Sequence, residues 1–201
     1  MARPPEPEKR LELARRAVEV LQREGLALSM SALAGALGIK RPTLLYHFPT
    51  KGHIVETALE DLLREQAAFV LARVAEHAHP IDRLDAQIRA VHDFHRGREG
   101  RIVFLTQAIA ASSGERMAEI IDVGNRVFEP HRRAAADAIR AAIDEARVEP
   151  IDADALIALA RAVTDGLMVQ RVMTGLDLAP VHRLLWERLF SPLKRRMEQT
   201  A

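Results

Sequence analysis

The chain of 201 residues contains no cysteine. Disulfides, thiolate metal centres and a cysteine redox switch are therefore excluded. No apolar run approaches the roughly 20 residues needed to span a bilayer. The opening MARPPEPEKR is polar and proline-rich and lacks the apolar centre of a secretory signal. These absences predict a cytoplasmic protein with no membrane partner. No P-loop, dinucleotide glycine fingerprint or serine-nucleophile motif is found, so no enzymatic activity and no cofactor are expected. Metal-ligating patterns are equally thin. His77 and His79 flank a helix end, where an imidazolium meets the dipole favourably. Glu76 and His79 form one Glu-x-x-His, whereas a di-iron bundle needs two such pairs. His92 and His95 share a face without a carboxylate set, so no metal site is predicted. A charge excess is also missing, because the formal net charge is only +1.

Aromatic residues make up 4% of the chain and apolar residues 48%. Ala, Leu, Arg and Glu dominate, and such residues lose little rotamer freedom in helices, so the composition favours helix over sheet. Helical periodicity predicts a first helix from Pro7 to Glu24, with Leu11, Ala14, Val18 and Leu21 on its apolar face. A short helix over Met30–Leu37 comes next, capped by Ser29. Gly38 supplies the left-handed residue of a tight turn, and Pro42 sits in the first turn of a third helix ending near Phe48. A long fourth helix is predicted from Lys51 to about Glu76, its stripe made by Ile54, Ala58, Leu62, Ala68, Val70 and Leu71. Five more helical segments are read at about 81–96, 99–112, 115–147, 152–174 and 179–198, with no strand pattern and no internal repeat.

Charge is unevenly spread. Residues 1–51 hold nine Lys/Arg and five Asp/Glu, and the remainder 20 and 23. No acidic residue lies between Glu24 and Glu56, while Lys40, Arg41 and Lys51 do. A basic surface at one end of a balanced body suits phosphate contact. Two short helices joined by a glycine turn, the second basic and aromatic, have the form of a helix-turn-helix whose second helix lies in the DNA major groove.

The segment GIKRPTLLYHFPTK, Gly38–Lys51, resembles the DNA-binding signature of the TetR (tetracycline repressor) family, in which Gly-Val-x-x-x-x-Leu-Tyr-x-His-Phe-x-x-Lys closes the motif. Gly38, Ile39, Thr43, Leu44, His47, Phe48, Pro49, Thr50 and Lys51 stand in matching or equivalent places. SMSALAGALG upstream is similar to the first helix of that motif. Thr164-Asp165-Gly166-Leu167 looks like an element of the family's penultimate helix. Three departures stand out: Leu45 replaces the usual Tyr, Lys40 takes a position where Ser or Thr often caps, and Gly52-His53 replace an acidic pair.

The resemblance implies an all-α protein with a DNA-binding domain at residues 1–50 and a ligand-binding and dimerisation domain at 51–201, opened by the connecting helix at about 51–76. Double-stranded DNA is the expected partner. Side-chain chemistry assigns Lys40 and Arg41 to base edges, Thr43 to base or phosphate, Pro42 to apolar contact in the groove, and Tyr46, His47 and Lys51 to phosphates. Ser29 joins this set as the cap of the first motif helix. Leu33, Leu37, Leu44 and Phe48 read as the small core beneath.

Two half-sites require a homodimer. The resemblance points to the last two helices, with Leu156, Leu159, Val163, Leu167, Gln170, Val181, Leu185, Leu189, Phe190 and Leu193 at the interface. The middle helices would then enclose an unidentified small-molecule effector. Phe94, Phe104, Met117, Phe128 and Met168 are candidates for its apolar walls, and His92, His95, Gln107, Asn125 and His131 for its polar contacts. The expected function is a ligand-responsive transcriptional regulator, a repressor by family habit. The alternative is an α-helical small-molecule-binding module or enzyme without specific DNA binding.

Overall fold

The backbone follows the composition. A computed structural model describes residues 7–110, 114–146 and 151–199, apart from the side chains of 109, 114–121, 123 and 146. The helices are α1 (Pro7–Glu24), α2 (Met30–Ala36), α3 (Arg41–His47), α4 (Lys51–Val74), α5 (Pro80–His95), α6 (Glu99–Ala110), α7 (Gly114–Ala146) and α8 (Ala153–Thr174). The chain ends in α9 (Leu178–Leu185), a π-helical turn (Trp186–Phe190) and α10 (Ser191–Glu198). No strand occurs among the described residues, and the architecture is all-α as expected.

The last three elements fall in the segment read from sequence as one helix. The amide of Ser191 donates to the Trp186 carbonyl, five residues back. Pro192 explains the widened turn. It has no amide to donate, and its ring crowds the carbonyl four residues earlier, so the run accommodates it by opening one turn.

The chain divides into two units: residues 1–64 with 100–125, and residues 65–99 with 126–201. The first division falls inside the continuous helix α4, because the beginning of α4 is built into the core of the first unit. There Ala14, Val18 and Leu21 of α1, Leu33, Leu44, Phe48, and Ile54 and Ala58 of α4 are all fully buried. Three long-range polar contacts reinforce this unit. Arg15 Nε lies 2.5 Å from Asp61 Oδ2, joining α1 to α4. Arg16 Nη2 donates to the Leu37 carbonyl at 3.1 Å. Lys51 Nζ donates to the carbonyls of Leu26 at 2.5 Å and Leu28 at 3.0 Å.

The second unit is built around Ile81, Leu84 and Ile88 of α5, Ile139 and Ile143 of α7, Leu156 and Ile157 of α8, and Phe190, Leu193 and Met197 at the end of the chain. Asp152 and Asp177 cap α8 and α9 by accepting from the amides of Ala155 and Ala179. Lys194 Nζ reaches Asp82 Oδ2 at 2.8 Å and ties α10 to α5.

This core also contains a polar device. His92 and His182 are buried and stacked, with His92 Nδ1 2.8 Å from His182 Nε2 and His92 Nε2 2.9 Å from the Thr164 carbonyl. A carbonyl only accepts, so His92 Nε2 carries the proton, and His182 Nε2–H donates to His92 Nδ1. Burial pushes both imidazoles down. His182 falls to about 4, helped by the neighbouring His92 and Arg89.

One sequence expectation is corrected here. In the second half of α4, Val70 is buried as expected, but Ala68 and Leu71 are exposed, and Ala67 joins the buried face in their place. Leu156, Phe190 and Leu193, expected at a subunit interface, belong to the chain's own core. Their spacing is helical either way, and only the neighbouring helices determine which stripe turns inward.

Candidate nucleic-acid interface

The turn between α2 and α3 is set by local hydrogen bonding. Ser29 Oγ accepts from the Ala32 amide at 3.1 Å and starts α2. At its other end the Ile39 amide donates to the Ala34 carbonyl and the Gly38 amide to Gly35, both at 3.0 Å. This is a Schellman closure. It needs a left-handed residue, and Gly38 has φ +70°. Lys40 then starts α3 with extended backbone and no side-chain cap. Pro42, with φ already set for helix, sits in the first turn.

This geometry sorts α3 into two faces. Leu44 and, just past the helix, Phe48 are fully buried. Lys40, Arg41, Pro42 and Thr43 are exposed, and Tyr46 is 48% exposed. Neither the Lys40 nor the Arg41 side chain has an ion pair or hydrogen bond among the described residues. Two unneutralised cations therefore stand at one end of a short helix, beside a hydroxyl and a phenol. His47 is half-buried, its ring edge-on to Tyr46 at 5.3 Å between centroids.

Lys51 donates two of its ammonium protons to the loop after α1. Thr50 Oγ1 lies 2.9 Å from His53 Nδ1 at the start of α4. His53 thus sits three residues past Thr50, where a capping box would place its acidic partner. Sequence reading overlooked Arg10, whose guanidinium lies 5.2 Å from the Phe48 ring centroid; no local signal marks that pairing.

The expected effector contacts fall in both units. In the second unit, His92 is committed to His182 and Thr164. His95 is buried, with Nε2 2.8 Å from Gln66 Oε1. Phe94 is half-buried against Phe69, and Arg98 lies 5.9 Å over its ring. Met168 is buried, Phe128 half-buried and His131 exposed. In the first unit, Phe104 is half-buried, Gln107 and Asn125 are exposed, and the Met117 side chain lies outside the described residues.

Of the expected interface residues not in the core, Leu159 and Gln170 are exposed and Val163, Leu167, Val181, Leu185 and Leu189 are half-buried. Leu185 and Leu189 pack against the second unit's core. Val169, Met173 and Leu184, which the sequence analysis did not single out, are also exposed, with Met173 at 77%. Leu159, Val163, Gly166, Val169 and Met173 recur every three or four residues, and that spacing was the available signal.

The fold this geometry defines is a helix-turn-helix unit joined to a larger helical region. Residues 13–58 match the sequence profile of bacterial regulatory proteins of the tetR family. No curated protein matches the chain. Among solved structures, the chain is similar to a candidate transcriptional regulator from Pseudomonas aeruginosa PAO1, with 17% identity over 96% of each chain and TM-score 0.73. It is also similar to the ketosteroid transcriptional regulator KstR2 of Mycobacterium tuberculosis, with 22% identity over 95% of this chain and 94% of that one and TM-score 0.61. A third likeness is to AibR, solved with isovaleryl coenzyme A and operator DNA, with 18% identity over 85% and 89% and TM-score 0.60. These likenesses establish the shared fold. The helix-turn-helix, within residues 13–58, is thus similar to that of the tetR family, and the chain as a whole shares the fold of these solved structures.

Proposed function

We propose that the protein is a homodimeric, ligand-responsive transcriptional regulator of the cytoplasm, a repressor that binds a palindromic operator and is released by a small-molecule effector. The observation that carries this reading is the pair of exposed, unpaired cations Lys40 and Arg41 on α3. In the major groove Arg41 can pair with guanine O6 and N7. Thr43 offers a hydroxyl and a methyl, Pro42 an apolar contact, and Tyr46 and His47 phosphate contacts that position rather than specify. Ser29 and Lys51 act mainly by holding α2 and the start of α4. The subunits meet through the exposed stripe of α8 and through Val181 and Leu184 of α9, which supports a four-helix interface. AibR, solved with both an acyl-coenzyme A and operator DNA, illustrates how one such fold serves both partners.

The test is fluorescence anisotropy on duplexes selected from random sequence. Specific binding with a steep negative salt slope is expected, and Arg41→Ala should weaken it by about 1–3 kcal/mol while relaxing preference at one base pair. Equal affinity for selected and scrambled duplexes would favour the binding-module or enzyme alternative.

A further inference from the structure

Four side-chain atoms among the described residues are buried without a hydrogen-bond partner: Arg10 Nε, His47 Nδ1, Glu99 Oε1 and Arg101 Nη2. Three have an evident setting. Arg10 lies over the Phe48 ring, and His47 belongs to the α3 surface. Glu99 Oε1 stands 2.8 Å from Arg171 Nε, a counter-ion at salt-bridge distance without hydrogen-bond alignment. Arg101 is half-buried with Nη2 fully enclosed, and among the described residues it has neither a counter-ion nor a ring beneath it.

A guanidinium stays charged at any ordinary pH and cannot relieve its burial by losing a proton. Arg101 is also the third residue of α6, where the helix dipole disfavours a cation. Stability alone would not place an arginine here. The rest of the helix is uncharged throughout: Ile102–Ala110 reads IVFLTQAIA. Ile102, Val103 and Phe104 are each only half-buried. One cation beside a stretch of partly open apolar side chains is complementary to a molecule with one negative charge and an apolar body.

We propose that Arg101 anchors an amphipathic carboxylate, a medium-chain organic acid whose head accepts two parallel N–H bonds from the guanidinium and whose tail lies along Phe104 and its neighbours. This rests on the regulator reading, in which an effector exists, and it names that effector's class. A single fork and no second cation on the segment favour a carboxylate over a phosphate dianion. The neighbouring Gly100 lies against α1, since a Cβ there would stand 3.3 Å from Gln22 Nε2. The anchored charge therefore sits one residue from the helix that supports the DNA-binding motif.

The test uses the full chain and three probes below their micellar concentrations: decanoate, decanol and decyltrimethylammonium. Calorimetric titration should show decanoate binding at least tenfold tighter than either of the others. Arg101→Met should weaken decanoate at least tenfold and leave decanol unchanged, with Arg101→Lys intermediate. Without any probe, Arg101→Met should raise the melting temperature, because it removes a buried unpaired donor; a purely structural arginine would lower it. Equal binding of decanoate and decanol by the unmodified chain overturns the proposal, as does unchanged decanoate affinity or a lower melting temperature in Arg101→Met. Duplex binding is measured separately. Specific duplex binding without decanoate discrimination sinks only the anion site, whereas decanoate binding through Arg101 without specific duplex binding sinks only the regulator reading.

Discussion

At the scale of single residues, most of the α2–α3 turn depends on one backbone conformation. Gly38 has φ +70°, and nothing crowds the place where its Cβ would stand. The cost of a side chain is therefore conformational rather than steric. Gly38→Ala should lower stability by about 1 kcal/mol, read as a drop in melting temperature, and it should weaken duplex binding because α3 loses its set direction. An unchanged melting temperature would show that the turn relaxes without help from glycine. The sequence made this residue legible because a Schellman closure involves only neighbours within five positions. It did not reveal Lys51's bonds to the Leu26 and Leu28 carbonyls, since those join groups more than 20 positions apart.

At the scale of elements, the packing of α5, α8 and α9 includes the neutral His92–His182 pair. Its contribution to stability depends on pH with a definite sign. Burial, together with the nearby His92 and Arg89, holds His182 at about 4 in the fold, against an ordinary value of 6.5. Between those values the unfolded chain takes up a proton that the folded chain refuses. Stability is therefore fully present above pH 6.5 and declines as pH falls toward 4, by at most about 1.4 kcal/mol per pH unit for each such group. Denaturant melts at pH 7.5, 6.5 and 5.5 should show this loss, and His182→Gln should flatten the pH dependence. A variant whose slope matches that of the unmodified chain would remove the pair from the account. The π turn belongs to this scale too. Pro192 was visible in the sequence, but a proline near a helix start and one that widens the preceding turn look alike until the backbone is traced.

At the scale of the whole molecule, the proposed dimer rests on which stripe of α8 faces outward. Leu159 and Met173 are 47% and 77% exposed, whereas Leu156 is 7% exposed. Leu159→Glu combined with Met173→Glu should convert a dimer to monomer in sedimentation velocity and reduce palindrome affinity at least tenfold, with the helical circular-dichroism signal retained. A double variant that remains dimeric would place the interface elsewhere. Leu156→Ala should act differently, lowering stability by about 2–5 kcal/mol through a cavity in the chain's own core.

Near-neighbour chemistry was enough to establish the all-helical character, the glycine turn, the Ser29 cap and the basic outer face of α3. Composition, caps and turn residues act over a few positions, so they can be read along the chain. Which apolar stripe is core and which is left open, where Pro192 forces a wide turn, and which buried polar atom lacks a partner were decided by the folded arrangement. A helix displays its periodicity whatever lies beside it, and only neighbours brought together across 70 or more positions, as His92 and His182 are, determine what each face meets.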